Sequence, residues 1–356
     1  FLLPILNKII DEGYPENDIS VLIIVPTREL ALQIDQQIEG FSYYLGVSSL
    51  PIYGGGDGQS WEQQRTALTK GVDIVVATPG RLIQHLNMSY SNFSNVKHLI
   101  LDEADRMLDM GFHDDIVTII EALGETRQNL LFSATFPDGI RSLAKNILTD
   151  PEEISLALSK PAEGVLQAAY NVYDDNKIPL INHLLEGKEK YPSIIIFSST
   201  KKNVMTIVRA LRKANFPAEG ISSDLDQKER EKVLREFKSR KTQILVATDI
   251  LARGIDIKEI SLVINYDVPM DAEDYVHRVG RTARASSTGV ALTLINPKDQ
   301  KRFSRIEKLI EAEIMKVDTP SHIGDSPKYQ PKKHSGKSYH KGKGKKNKGK
   351  FRKSKK

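Results

Sequence analysis

Leu99-Ile100-Leu101-Asp102-Glu103-Ala104-Asp105 carries a short apolar run straight into a compact acidic cluster. The run, taken from Val96 to Leu101, reads as a buried strand of a parallel sheet, because strands covered on both faces by helices are almost continuously apolar. Acidic groups just past the C-terminal end of such a strand lie where open α/β sheets bind ligands. A carboxylate there suits Mg²⁺, usually held through water, and its neighbour is suited to orient or deprotonate a water attacking a terminal phosphate. These seven residues alone leave a second reading open, an ordinary acidic loop.

Outward from this point the same pattern repeats. Toward the N-terminus, strands are expected at Val21–Val25, Val47–Tyr53 and Asp73–Ala77, with helices at Arg28–Tyr44 and from Thr78-Pro79 to Leu86; Asn129–Phe132 is a fifth strand. Pro161, Gly164 and the small residues around them mark a linker. The alternation then restarts, with strands at Ala169–Tyr173, Ser193–Phe197, Ala218–Ile221, Gln243–Ala247, Leu262–Asn265 and Val290–Leu294. Helices fit at Lys201–Ala214, Gln227–Ser239 and Ala272–Val279. The expectation is an α/β protein with a first domain over 1–157, a linker over 158–168, a second domain over 169–318 and a disordered basic tail over 319–356.

Composition bounds the rest. A length of 356 residues suits two domains and an extension, and 40% hydrophobic residues suffice for two cores. There is no cysteine, which excludes disulfides and thiolate metal or catalytic sites and suits a reducing, cytoplasmic setting. No apolar stretch reaches the length of a membrane span. Of 51 basic and 46 acidic residues, 14 and one fall in 321–356, leaving the body with 37 against 45. An acidic body with a strongly basic tail points to a polyanionic partner for the tail. The chain begins Phe1-Leu2-Leu3-Pro4, with neither Met nor a charged-then-apolar leader, and reads as a fragment lacking its true N-terminus.

In the second half, His277, Arg281 and Arg284 would share one face if their segment is helical. Paired guanidiniums suit a triphosphate, although a solvated basic face has the same spacing. Asp256 suits a helix or turn cap as well as a ligand contact. Thr27, Arg28, Gly55, Thr78, Gly80, Arg81 and Arg253 fall at strand ends or in adjacent turns, and such hydroxyls, N–H groups and guanidiniums bind phosphate and sugar without reading bases.

Asp102-Glu103-Ala104-Asp105 resembles the signature of the DEAD-box ATP-dependent RNA helicases, and the other motifs of that family follow in order. Pro26-Thr27-Arg28-Glu29-Leu30-Ala31, Gly54-Gly55 and Thr78-Pro79-Gly80-Arg81 match its RNA-contacting motifs. Ser133-Ala134-Thr135 matches the motif that couples the domains. In the second half Ile195–Thr200, Gln227 with Arg230, Ala247–Ile257 and His277–Arg284 match the remainder. The resemblance covers nearly all of 1–320 and implies two tandem RecA-like parallel-sheet domains joined by a short linker.

It also implies roles. Asp102 would hold Mg²⁺ and ATP, Glu103 the attacking water, and Arg281 and Arg284 the γ-phosphate across the cleft, with Asp256 at the ribose. Thr27, Arg28, Gly55, Thr78, Gly80, Arg81, Arg230, Thr248 and Arg253 would contact RNA, and Asp105, Ser133, Thr135 and His277 would couple the domains. The implied activity is RNA-stimulated ATP hydrolysis with local unwinding of short duplexes, on structured or ribosomal RNA as in bacterial members with lysine-dense tails. No membrane and no obligate oligomer are expected.

Two departures stand out. Ile221-Ser222-Ser223-Asp224 replaces the usual His-Gly-Asp before Gln227, which puts any contact of that histidine in doubt. No Gly-x-x-x-x-Gly-Lys-[Ser/Thr] phosphate loop occurs in the chain. Truncation just before Phe1 is expected to account for this, with activity belonging to the longer parent and these residues hydrolysing ATP negligibly. The rival readings are a non-catalytic RNA clamp or annealing protein and a DNA-directed translocase.

Overall fold

The computed structural model describes residues 1–15, 18–55, 58–88, 90–155, 164–187, 191–222, 224–248, 260–282 and 289–331. The first domain runs α1 (Leu2–Glu12), β1 (Val21–Ile24), α2 (Arg28–Ser42), β2 (Ser49–Ile52), α3 (Gly58–Lys70), β3 (Ile74–Ala77), α4 (Pro79–Leu86), β4 (His98–Leu101), α5 (Ala104–Asp109), α6 (His113–Glu121), β5 (Gln128–Leu131) and α7 (Asp138–Ile147). Its sheet has the order β2-β3-β1-β4-β5 and every pair is parallel.

Alternation along the strands builds a core on each face. Leu22 and Ile24 face one layer with Leu99, Leu101, Ile116, Ile119 and Leu143; Val21, Ile23 and Ile100 face the other with Ile5, Leu6, Ile9 and Ile34. The apolar positions 2, 5, 6 and 9 give α1 a single buried stripe, and Gly13 ends it in the left-handed region at φ 59. Each fully buried Ile or Leu contributes about 1.5–3 kcal/mol, so the three fully buried strands β1, β3 and β4 anchor the domain.

The second domain runs β6 (Val165–Asn171), a 3₁₀ turn (Asp174–Asn176), α8 (Lys177–Leu185), β7 (Ile194–Phe197), α9 (Lys201–Lys213), β8 (Ala218–Ile221), α10 (Gln227–Lys238), β9 (Ile244–Ala247), β10 (Leu262–Asn265), α11 (Ala272–Val279), β11 (Gly289–Ile295), α12 (Gln300–Leu309) and β12 (Met315–Asp318). The sheet order is β12-β6-β11-β10-β7-β9-β8, again all parallel. Asp226 opens α10 with a capping box: its carboxylate accepts from the Glu229 amide at 2.8 Å, and the Glu229 carboxylate accepts from the Asp226 amide at 3.1 Å.

The two-domain parallel α/β architecture is the one expected, but its edges differ. β6 begins at Val165, inside the stretch read as linker, because pairing with β11 over seven residues holds it. β12 was not expected; Met315-Lys316-Val317-Asp318 has little apolar patterning and is held by its register with Ala168–Asn171. Residues 319–330 of the tail expected to be disordered are instead packed on the second domain, and the rest of that tail, 332–356, lies outside the described residues. Thr319 Oγ1 donates to the Asn171 carbonyl at 2.8 Å, and the Gln300 side chain donates to the Lys328 carbonyl and accepts from the Gln330 amide, both at 2.8 Å. The Tyr329 ring meets Phe303 edge-on at 6.2 Å and its hydroxyl donates to Glu307 at 3.0 Å. One aromatic anchor and paired backbone groups thus order a stretch whose composition reads as unstructured. Among the described residues no helix is long and apolar enough to cross a membrane.

Candidate functional site

Because all five strands of the first domain point the same way, their C-terminal ends share one edge. β1 delivers Thr27 and Arg28 there, β2 Gly55, β3 Thr78 to Arg81, β4 the acidic cluster and β5 Ser133 to Thr135. The strand order divides this edge. β2 and β3 bring the hydroxyls, glycines and arginines to one side of β1, and β4 and β5 bring the carboxylates and Ser133-Ala134-Thr135 to the other.

On the acidic side, the Asp102 amide extends the ladder by donating to the Ile24 carbonyl at 3.0 Å. Glu103 then takes a left-handed conformation at φ 50, an uncommon state for a non-glycine residue that turns the chain sharply into α5. Burial raises the carboxyl pKa values of both Asp102 and Glu103 above the usual range. Asp102 adds to the rise at Glu103, while Arg106 and Arg281, the latter from the second domain, oppose it. The Glu103 Oε2 atom is buried without a hydrogen-bond partner among the described residues.

Asp105 looks the other way. Its Oδ2 accepts from the Thr135 amide at 3.0 Å and the Thr135 hydroxyl at 2.8 Å, and its own amide donates to Ser133 Oγ at 3.2 Å. Ser133 in turn donates to the Thr135 carbonyl at 2.7 Å. Ser133, Thr135 and Asp105 therefore form one hydrogen-bonded unit. Facing it, burial lowers the pKa of His277, against the Asp105 carboxylate that raises it. α11 stops at Val279, so Arg281 stands in the turn beyond it, its amide donating to the Arg278 carbonyl at 3.2 Å. The helical face expected for His277, Arg281 and Arg284 is interrupted there.

On the other side, the Thr27 hydroxyl caps α2 by accepting from the Leu30 amide at 3.3 Å. The Arg28 guanidinium lies 4.3 Å over the Tyr53 ring and pairs with Glu231 of α10. Gly55 has φ 85, open to glycine at no cost, and a Cβ there would come within 3.9 Å of Arg28 Nη1. The Thr78 amide donates to the Ile52 carbonyl at 2.9 Å, and Gly80 is exposed in α4 with open space around it. Arg81 lies 4.3 Å over Trp61 and donates to Gln64 at 3.1 Å and Gln84 at 3.2 Å.

Arg230, expected at an RNA backbone, points at Glu29 with Nη1 to Oε1 at 3.4 Å. With Arg28–Glu231 this makes a reciprocal pair of ion pairs joining the first turns of α2 and α10 across the domains. Thr248 follows β9 on the second sheet's C-terminal edge and is half-buried. Arg253, Asp256 and Arg284 lie outside the described residues, as does Ser223 of the departure before Gln227.

Sequence reasoning missed a buried polar knot on the second sheet. Asp267, after β10, accepts from Ser198 Oγ and the Ser199 amide, both at 2.8 Å, and from Lys177 at 3.2 Å. Its carbonyl accepts from Arg278 Nη1 at 2.8 Å, and Asn265 Oδ1 accepts from the same nitrogen at 3.2 Å. Arg278, next to His277, is 2% exposed. The spacing signal of a Lys six residues past a strand is too weak to reveal such a contact.

Comparison with known proteins agrees with this arrangement. Residues 1–143 match the DEAD/DEAH box helicase family and residues 176–286 the helicase conserved C-terminal domain. The chain is 39% identical over 323 residues to the ATP-dependent RNA helicase CshA of Listeria monocytogenes, covering 90% of this chain and 61% of that protein. It is 38% identical over 323 residues to CshA of Geobacillus kaustophilus, covering 90% of this chain and 68% of that protein. Among solved structures it resembles S. cerevisiae Dbp5 bound to RNA and ADP BeF3, with a TM-score of 0.78, 27% identity and coverage of 89% and 81% of the two chains. The chain thus spans about 60% of the length of its Listeria relative. An acidic cluster closing β4, tied through Asp105 to Ser133 and Thr135 and met by Arg281 from a second parallel-sheet domain, places this chain in the DEAD/DEAH box helicase family.

Proposed function

We propose that the chain is the two-domain body of an ATP-dependent RNA helicase, binding one RNA strand without base specificity and separating short duplexes locally. The observation that carries this is Glu103: a half-buried residue whose Oε2 is enclosed and has no hydrogen-bond partner among the described residues, two residues from Asp105 and within the field of Arg281. ATP is the substrate this edge suits. Asp102 and Glu103 fit a divalent cation, since burial disfavours their charge and one oxygen lacks a partner. Mg²⁺ held there through Asp102, with water and the phosphates completing its shell, would neutralise phosphate charge.

The chain's own residues do the rest. Glu103 orients and receives a proton from the attacking water. Arg281, with Arg284, meets the charge that grows on the terminal phosphate, and Asp256 contacts the ribose. Thr27, Arg28, Gly55, Thr78, Gly80, Arg81, Arg230, Thr248 and Arg253 position the RNA backbone. Asp105, Ser133, Thr135 and His277 link the two sites, so that ATP and RNA each favour the arrangement the other binds. The basic tail tethers structured or ribosomal RNA in a salt-sensitive way, in the cytoplasm and without an obligate oligomer.

A second reading, a non-catalytic RNA clamp or annealing protein, is favoured by the absence of a Gly-x-x-x-x-Gly-Lys-[Ser/Thr] stretch from these 356 residues. Phosphate release with and without RNA, on this chain and on any longer form of it, separates the two. We expect negligible turnover from these residues alone and RNA-stimulated turnover from any form that also carries such a stretch. In the active form, Glu103→Gln and Arg281→Ala should each lower turnover by about 100-fold or more while leaving RNA affinity unchanged. RNA affinity falling with turnover intact would sink the assignment.

A further inference from the structure

Trp61 is the only tryptophan of the chain and belongs to none of the motifs that align the site. It sits in the first turn of α3, the helix that follows β2 and therefore starts at the C-terminal edge of the first sheet, beside Gly55. Its ring lies 4.3 Å from the Arg81 guanidinium carbon and stacks on the His85 imidazole at 4.0 Å, with 10° between planes.

Two of the five N–H donors of Arg81 have partners among the described residues. Nε donates to Gln64 Oε1 at 3.1 Å and Nη1 to Gln84 Oε1 at 3.2 Å, while Nη2 is buried without a partner among the described residues. Gln64 is 4% exposed, and the same Oε1 contacts His85 Nε2 at 3.1 Å. An oxygen that already accepts from Arg81 accepts again here, so His85 donates from Nε2 and its Nδ1 accepts from the Tyr90 hydroxyl. That requires a neutral imidazole, and burial followed by the charge of Arg81 pushes His85 down to about 4. The groups boxing the guanidinium are thus neutral; Nη2 is enclosed by them, and Nη1 is bonded to the exposed Gln84.

We propose that Trp61 is a positioning residue: with Gln64 and His85 it fixes the plane of the Arg81 guanidinium so that Nη1, whose bond to Gln84 is exposed, meets a phosphate of single-stranded RNA. This rests on the RNA reading of the edge. A flat π face fixes the plane of a guanidinium through cation–π attraction where an aliphatic side chain of similar volume gives packing alone. Arg81 is the phosphate contact, and Trp61 acts through it.

The test uses a labelled single-stranded RNA, read by anisotropy, alongside the intrinsic emission of Trp61 in the same titration. With the wild-type chain, emission should change with the midpoint of the anisotropy curve, because the residue stacked on Trp61 changes its partner. Arg81→Ala should weaken binding about 10-fold and lower the slope of log affinity against log salt by about 1. Trp61→Leu should weaken binding about 3- to 10-fold and Trp61→Phe should restore it. Trp61→Leu added to Arg81→Ala should cost nothing further. Losses that multiply in the double variant, or RNA binding that leaves the emission unchanged, overturn the role of Trp61. An absence of any anisotropy rise with wild-type protein at low salt overturns the RNA reading itself. The emission arm needs no substitution, so misfolding of a variant does not shield the proposal.

Discussion

Asp267→Asn should destabilise the second domain by about 3 kcal/mol, more than any surface change. Lys177 is 1% exposed and has two carboxylate partners, Asp267 at 3.2 Å and Asp174 at 3.1 Å. The Asp174 side chain is 56% exposed and that of Asp267 15%, so Asp267 is the partner screened from water. Breaking a buried ion pair from one side costs about 3–5 kcal/mol because a buried charge is left uncompensated. Retention of Asp174 argues for the low end. The amide also offers Lys177 or the Ser199 amide a donor where each needs an acceptor. Urea unfolding followed by circular dichroism reads the change; with a slope of about 2 kcal/mol per M the midpoint falls by about 1.5 M. Trp61 emission reports the first domain alone and should not move with it. Lys177→Met in the same chain should recover most of the loss, since replacing both charges removes the desolvation problem. A single-variant loss below about 1 kcal/mol, or no recovery in the double variant, would refute the reasoning. The pH dependence has a definite sign. Burial alone would raise Asp267, but Lys177, the Ser199 amide and the Ser198 hydroxyl bring it below its ordinary 3.8. Its contribution is therefore complete above that value, is lost as pH falls through the lower folded value, and should be missing from Asp267→Asn.

His85, ordinarily near 6.5 and here near 4, gives a second pH signature. The unfolded chain takes up its proton first, so stability of the first domain should fall between those two values and level below them; His85→Gln should flatten that part of the urea-midpoint profile. Asp105→Ala should cost the first domain about 2–3 kcal/mol, because the Thr135 amide and hydroxyl lose a charged acceptor, and amide exchange at Thr135 should accelerate. No change in exchange there would remove Asp105 as the tether. Glu231→Gln should tighten binding of single-stranded RNA a few-fold, with little effect on stability, because a half-exposed carboxylate now pairs with Arg28. Unchanged or weaker binding would show that Arg28 has no use for a phosphate.

The central strands were legible because each is fully buried with a nearly unbroken apolar run, as in Ile74–Ala77 and Ile194–Phe197. The edge strand β12 and the packed stretch through Gln330 were not, since pairing with β6 and anchorage by Tyr329 are long-range contacts that leave no local pattern. The site divides in the same way. Asp102, Glu103, Ser133, Thr135 and Arg281 were marked by residue type and order along the chain. Trp61 behind Arg81, Asp267 beneath Ser199 and Glu231 against Arg28 were not, because each acts on a residue distant in sequence.

By itself, the sequence determined the two-domain parallel α/β architecture and which strand-end loops carry carboxylates, hydroxyls and arginines, because hydrophobic runs and strand-end residues are local properties. Only the tertiary structure decided which of those loops meet. Strand order put the carboxylates and Arg81 on opposite sides of β1. Packing of the second domain brought Arg281 within reach of Glu103 and His277 within reach of Asp105. Charges act through space, and spatial neighbours across a parallel sheet are set by strand order and not by position in the chain.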